Sequence, residues 1–254
     1  MAQHYFYSKD LRLSAELEIP HSGDSESPGV LIIHGFPAGS RGGTNSPETL
    51  PELARRISLE MGWVAMVPYL RGMQGSEGWF SLDGWLEDVK SAAIDLLSHP
   101  AVDVVWATGF GTGAALAICA ASEESRIKGV GSLAAPADWS EWATEPRRLL
   151  VHARRAGIVP QEGVGEEFAD WSRALGELSA ERIVPGLASR PLLVVHGMED
   201  DVVSPLDARA LAEAHGSADL RLIEGAGHHL RHDPRAIAVL LGWLDRQRRL
   251  QSNS

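Results

Sequence analysis

Short runs of consecutive apolar residues recur along this chain, and each is followed by a longer stretch with apolar residues at helical spacing. No other feature restricts the fold as much. The runs are Gly29-Val30-Leu31-Ile32-Ile33-His34-Gly35, Trp63-Val64-Ala65-Met66-Val67-Pro68, Asp103-Val104-Val105-Trp106-Ala107-Thr108-Gly109, Gly129-Val130-Gly131-Ser132-Leu133-Ala134 and Pro191-Leu192-Leu193-Val194-Val195-His196-Gly197. A run of this length suits a strand buried on both faces. Residues 11–19 alternate with period two, as a strand with one solvated face does, and 220–223 form a last short strand. Helices are predicted at 47–61, 81–98, 112–121, 206–215 and 233–249; in the second, Leu82, Trp85, Leu86, Val89, Ala93, Leu96 and Leu97 fall near one face. Repeated strand–helix units imply an α/β fold, a mostly parallel sheet covered by helices on both faces.

Residues 138–189 break the alternation, with two helical pieces (146–156 and 166–178) around a Gly/Pro-rich centre. The chain therefore divides into a core of 1–137 and 190–254 and a small helical cap inserted at 138–189. Its 254 residues suit one domain. Asp and Glu outnumber Lys and Arg by 34 to 23, a net charge of −11, so no nucleic-acid partner is expected. The longest apolar runs, such as 114–121, fall far short of the roughly 20 residues that span a bilayer, so no membrane partner is expected. No secretory signal is visible at the amino terminus, and the single cysteine, Cys119, has no intramolecular partner; the expected location is cytoplasmic. Lys9, Lys90 and Lys128 are the only lysines, and none adjoins a promising loop, which leaves Schiff-base chemistry little footing.

In such sheets ligands bind beyond the carboxyl ends of the strands. The segments there are His34-Gly35-Phe36-Pro37, Gly109-Phe110-Gly111-Thr112-Gly113, Gly197-Met198-Glu199-Asp200-Asp201 and Gly225-Ala226-Gly227-His228-His229. Their order and spacing, with Pro68-Tyr69-Leu70-Arg71-Gly72 and Gly75-Ser76-Glu77-Gly78, resemble the α/β-hydrolase superfamily over essentially the whole chain, most nearly its dienelactone-hydrolase and acyl-esterase-like members. The resemblance implies that Asp200, with Asp201 as a less favoured neighbour, is the triad acid and that His228 is the triad histidine. An acid that fixes one ring nitrogen leaves the other to act as a base. The backbone N–H groups of Phe36 and Thr112 are implied as the oxyanion donors. His34 reads as a buried, hydrogen-bonded residue, and His229 and His232 as surface or supporting groups. The spacing of these histidines and aspartates matches no metal motif, and neither metal nor cofactor is expected.

At the nucleophile the chain departs from the pattern. The frame Gly-x-nucleophile-x-Gly places Gly111 at the centre, where no side chain exists to form an acyl-enzyme. Centring on Thr112 would put Phe110 at a small position, which it is too large to fill. Cys119 lies two turns into the following helix and reads as a packed apolar residue. Glycine removes the conformational cost of the elbow and opens a small space beside His228, where a water could be activated. Trp79, Trp139, Trp142 and Trp171 are candidates to wall a substrate pocket, or to anchor the cap. The arginines 147, 148, 154 and 155 read as a solvated helical face, and those at 246, 248 and 249 as a helix carboxyl end. Two functional readings stay open: a hydrolase of a small carbonyl or ester-type substrate that works without a serine, and a catalytically inactive protein that binds a small molecule as a receptor or regulatory module. The sequence fixes no oligomeric state; a homodimer is compatible with either reading.

Overall fold

A computed structural model describes residues 2–20, 27–37, 49–162, 168–187 and 189–251. Its centre is an eight-stranded sheet in the order β1-β2-β4-β3-β5-β6-β7-β8. The strands are β1 (Ala2–Ser8), β2 (Leu11–Glu18), β3 (Ser27–Ile33), β4 (Val64–Pro68), β5 (Val102–Phe110), β6 (Ile127–Leu133), β7 (Leu192–Gly197) and β8 (Asp219–Ile223). From β4 to β8 all pairings are parallel; β1 and β2 join one edge antiparallel. The apolar runs are buried throughout in β4 and β7, as strands covered on both faces must be.

β1 is an addition to the elements expected from the sequence. Only Phe6 and Ser8 are buried in it, so its burial leaves almost no periodic apolar signal, and pairing with β2 is what makes it a strand. The helices that cover the sheet are α1 (Leu50–Met61), α2 (Leu82–Ser98), α3 (Thr112–Glu123), α8 (Pro205–His215) and α9 (Pro234–Gln251). Residues 47 and 48 of the first expected helix lie outside the described residues. Ser81 starts α2 by accepting from the Gly84 amide, and Ser204 starts α8 by accepting from the Leu206 amide, with Pro205 in the first turn. On one side Trp106 of β5 packs against Trp63 and against Trp243 of α9, with ring centroids 6.3 and 5.5 Å apart. On the other, α2 and α3 pack together against β5.

Within 138–189 the described residues form α4 (Ser140–Thr144), α5 (Pro146–Arg155), α6 (Phe168–Glu177), α7 (Ala180–Ile183) and a 3-10 turn, Val184–Leu187. The short α4, α7 and 3-10 turn are too brief to show a helical period in the sequence. Residues 166 and 167 of the second expected helix fall outside the described residues. The segment is held at its root by a bridge between Asp138 and Ser179 and by the Glu181 amide, which donates to the Ala137 carbonyl at 2.9 Å. Farther out, Trp171 Nε1 donates to the Phe80 carbonyl at 3.0 Å, and the Phe80 amide to the Ile158 carbonyl at 2.8 Å. Among the described residues no helix is long and apolar enough to cross a membrane.

Candidate active site

The turn from β5 into α3 is set by close backbone approach. A Cβ on Gly109 would lie 2.5 Å from the Gly113 carbonyl group, and one on Gly113 would lie 2.2 Å from the His34 oxygen. These positions must be glycine, which fixes the register of the turn and puts Gly111 at its apex. Gly111 has φ +55° and ψ −126°, outside the regions open to most side chains. Its amide donates to the Leu133 carbonyl at 2.9 Å, and its carbonyl accepts from the Ala114 amide at 3.0 Å.

A Cβ on Gly111 would stand 3.5 Å from Nε2 of His228, 3.7 Å from its Cε1 and 4.0 Å from the Gly35 Cα. These are ordinary contact distances, so the apex has room for a small side chain and lacks one. His228 lies after β8 with its side chain 9% exposed, and its Nδ1 donates to Asp200 Oδ2 at 2.9 Å. That bond assigns the proton to Nδ1 and leaves the Nε2 lone pair directed at the space over Gly111. Among the described residues Nε2 has no hydrogen-bond partner.

Asp200, in the turn after β7, has a fully buried carboxylate. Oδ1 accepts from the amides of Val202 and Val203 at 2.9 and 2.8 Å. Burial alone would raise the carboxyl, but ring N–H groups of His196 and His228 and the Val203 amide outweigh it and hold the acid well below the usual carboxylate range. Asp201 lies beside it on the cavity wall and makes no contact with the His228 ring nitrogens among those described.

Phe36 and Thr112 follow Gly35 and Gly111, the two backbone segments that meet at the apex. Thr112 opens α3, so its amide has no partner inside the helix, and among the described residues neither amide has an acceptor. His34 holds the Gly35 segment in place: its Nδ1 donates to the Gly35 carbonyl at 2.9 Å, and its Nε2 accepts from the Leu70 amide at 3.3 Å. Complete burial lowers its pKa to about 4, so the ring is neutral and structural.

A cavity of about 920 Å³ opens over this apex, bounded by Phe36, Gly111, Thr112, Trp139, Trp142 and His228 among others. The Phe36 and Trp142 rings meet edge to face at 5.1 Å, giving the wall an aromatic corner. Trp79 and Trp171 do not line it. Trp171 is buried against Phe80, with its indole N–H already used, and Trp79 packs on the core beneath. His229 lines the cavity, its pKa lowered by burial and then by neighbouring His228 and Arg231. His232 lies in a second hollow behind it, where its Nε2 accepts from Arg231 Nε at 3.1 Å. Among the described residues no group of three His, Cys, Asp or Glu side chains could hold a metal ion. Cys119 is buried inside α3, and burial pushes its thiol up to about 12, so it supplies no nucleophile.

Reasoning from sequence missed His196. It is a completely buried histidine at the end of β7, with Nε2 3.0 Å from the Val203 carbonyl oxygen and 3.1 Å from Asp200 Oδ2. Its signal was a lone ring in a strand otherwise apolar to its end.

No family model matches the chain, and no curated protein matches it. Solved structures do resemble it. Est1E from Butyrivibrio proteoclasticus, in a structure holding ferulic acid, superposes with a TM-score of 0.73 at 18% identity, covering 99% of this chain and 100% of that one. The α/β hydrolase GrgF from Penicillium sp. sh18 gives 0.74 at 17% identity over 96% of each chain. XC6422 from Xanthomonas campestris, an α/β serine hydrolase without a lid, gives 0.63 at 18% identity, covering 98% of this chain and 94% of that one. These likenesses establish the α/β-hydrolase fold.

Proposed function

We propose that this chain of α/β-hydrolase fold hydrolyses small carbonyl substrates of the ester class with a water in the role that a side-chain hydroxyl plays in a serine enzyme. The observation that carries this reading is the His228 ring: Nδ1 is held by Asp200, and Nε2 is aimed at the open side of Gly111, 3.5 Å from where a Cβ would be. In the proposed reaction Nε2 takes a proton from the water as its oxygen attacks the carbonyl carbon. The carbonyl oxygen gains the negative charge facing the Phe36 and Thr112 amides. Collapse of the adduct expels the alcohol oxygen, which takes the proton back from the imidazolium. Asp200 stabilises that imidazolium without itself being protonated. The aromatic corner of Phe36 and Trp142 would receive the acyl group, and the ferulic acid held by Est1E makes hydroxycinnamate esters a natural first panel beside short-chain esters. A site without its serine retains about 10³–10⁴-fold acceleration over water in a serine protease, so turnover is expected to be slow.

Gly111 also motivates a second reading, a binding module that holds a small carbonyl compound unchanged. One experiment separates them. Under the hydrolytic reading the wild-type protein turns over an ester of the panel, His228→Ala abolishes that turnover, and a fluorophosphonate leaves the wild type unlabelled. A ligand recovered intact, with an affinity indifferent to His228→Ala, would establish the binding reading in its place.

A further inference from the structure

Oδ2 of Asp200 lies between two imidazoles. His228 Nδ1 is 2.9 Å from it on the cavity side, and His196 Nε2 is 3.1 Å from it on the side of the sheet. Both of the atoms near His196 Nε2, Oδ2 and the Val203 carbonyl oxygen at 3.0 Å, are acceptors, so Nε2 carries the proton, donates it to the carbonyl and holds its N–H beside Oδ2. The bond to the carbonyl also ties the far end of the turn that begins at Asp200. His196 Nδ1 is buried with no hydrogen-bond partner among the described residues. Stranding a ring nitrogen in the core is unfavourable, and a leucine would occupy the position without doing so. What the histidine offers in return is the N–H at its other end, placed 3.1 Å from the acid that orients His228 while it ties the Val203 carbonyl.

We infer that His196 is a positioning residue for Asp200: its Nε2–H fixes the carboxylate against the Val203 carbonyl and draws off part of the charge on Oδ2, which limits how strongly Asp200 stabilises a positive charge on His228. This deepens the hydrolytic reading, since a general base must be able to give its proton up again to the leaving group. The tests, however, need no substrate. The other charged or titratable groups around the His228 ring are His229, at 5.7 Å between ring centroids, and Arg231 and Asp201 on the cavity wall; all are unaltered in the variants below.

The experiment is an NMR titration of the histidine Cε1–H resonances in the full chain, with His228 assigned by its loss in His228→Ala. In His196→Leu the titration midpoint of His228 is expected to rise by about one pH unit, because the carboxylate loses a donor and turns more of its charge on the remaining ring. His196→Gln, whose amide nitrogen reaches the place of Nε2, should return the midpoint to the wild-type value. In an Asp200→Asn background, adding His196→Leu should leave His228 unmoved. An unchanged midpoint in folded His196→Leu, or an equal rise in the Leu and Gln variants, would overturn the inference. Because the readout is a protonation equilibrium, a protein that proves to have no turnover can still satisfy it, and one that hydrolyses esters can still fail it.

Discussion

Replacing Gly111 by serine perturbs the site at its apex, and the structure sets the size of each effect. The backbone at φ +55°, ψ −126° is strained for any residue with a Cβ, at about 1–3 kcal/mol. Sterics add little, because the new Cβ meets nothing closer than His228 Nε2 at 3.5 Å. For a domain of this size the melting temperature should fall by about 2–12 °C. The hydroxyl extends one bond beyond Cβ and comes within hydrogen-bond reach of Nε2, the arrangement of an activated nucleophile. Loss of the serine from a complete triad costs about 2 × 10⁶ in kcat, so even a poor restoration should raise hydrolysis of an activated short-chain ester at least ~100-fold. The assay pairs p-nitrophenyl acetate hydrolysis with intact mass after fluorophosphonate treatment, with Gly111→Ala as control. Alanine should lower the melting temperature equally and take no label. A folded Gly111→Ser protein that shows the thermal loss yet neither labels nor gains rate would refute the assignment of His228 and the two amides to one reacting centre. An undiminished melting temperature in both variants would refute the strained apex itself.

Four further outcomes are expected. The Asp200 carboxyl is depressed in the folded state, so its contribution to stability is present above the ordinary value of 3.8 and lost as pH falls toward the folded one; acid unfolding of wild type and Asp200→Asn should therefore converge below about pH 4. His34 titrates near 4 when folded against 6.5 ordinarily, so in the folded protein it refuses a proton that the unfolded chain accepts, and stability should decline from pH 6.5 down to about 4. His34→Gln should flatten that stretch of a urea-denaturation pH series, and an identical slope would contradict the neutral ring. Arg71 grips Asp88, which has no exposed side-chain surface, through its Nε and one terminal nitrogen; Asp88→Ala should cost about 3–5 kcal/mol in chemical denaturation by leaving a largely buried guanidinium without its counter-charge. Finally, Trp142→Ala should raise KM for aromatic esters while Trp171→Ala lowers thermal stability with KM unchanged, as befits one indole on the cavity wall and one bonded to Phe80.

The positions of the buried strands along the chain and the register of the β5–α3 turn were legible in the sequence because both follow from local requirements, whereas the order in which the strands lie in the sheet is set by pairing between distant segments. A strand covered on both faces has to be apolar throughout, and the backbone contacts at Gly109 and Gly113 tolerate no side chain. That residue 111 carries no side chain is likewise a covalent fact, whatever the fold does. β1 was not legible, since an edge strand needs few buried residues and its partner supplies the rest.

What the chain's own order of residues determined, then, is the layered sheet, the sharp turn and the want of a hydroxyl at its apex. Only tertiary structure decided that Nε2 of His228 faces that apex, that His196 backs the acid, and that Trp139 and Trp142, not Trp79 and Trp171, bound the cavity. The reason is geometric. Periodicity along a strand or helix reports which face is covered, whereas the direction of a ring depends on packing between segments far apart in the sequence, and spacing carries no record of that.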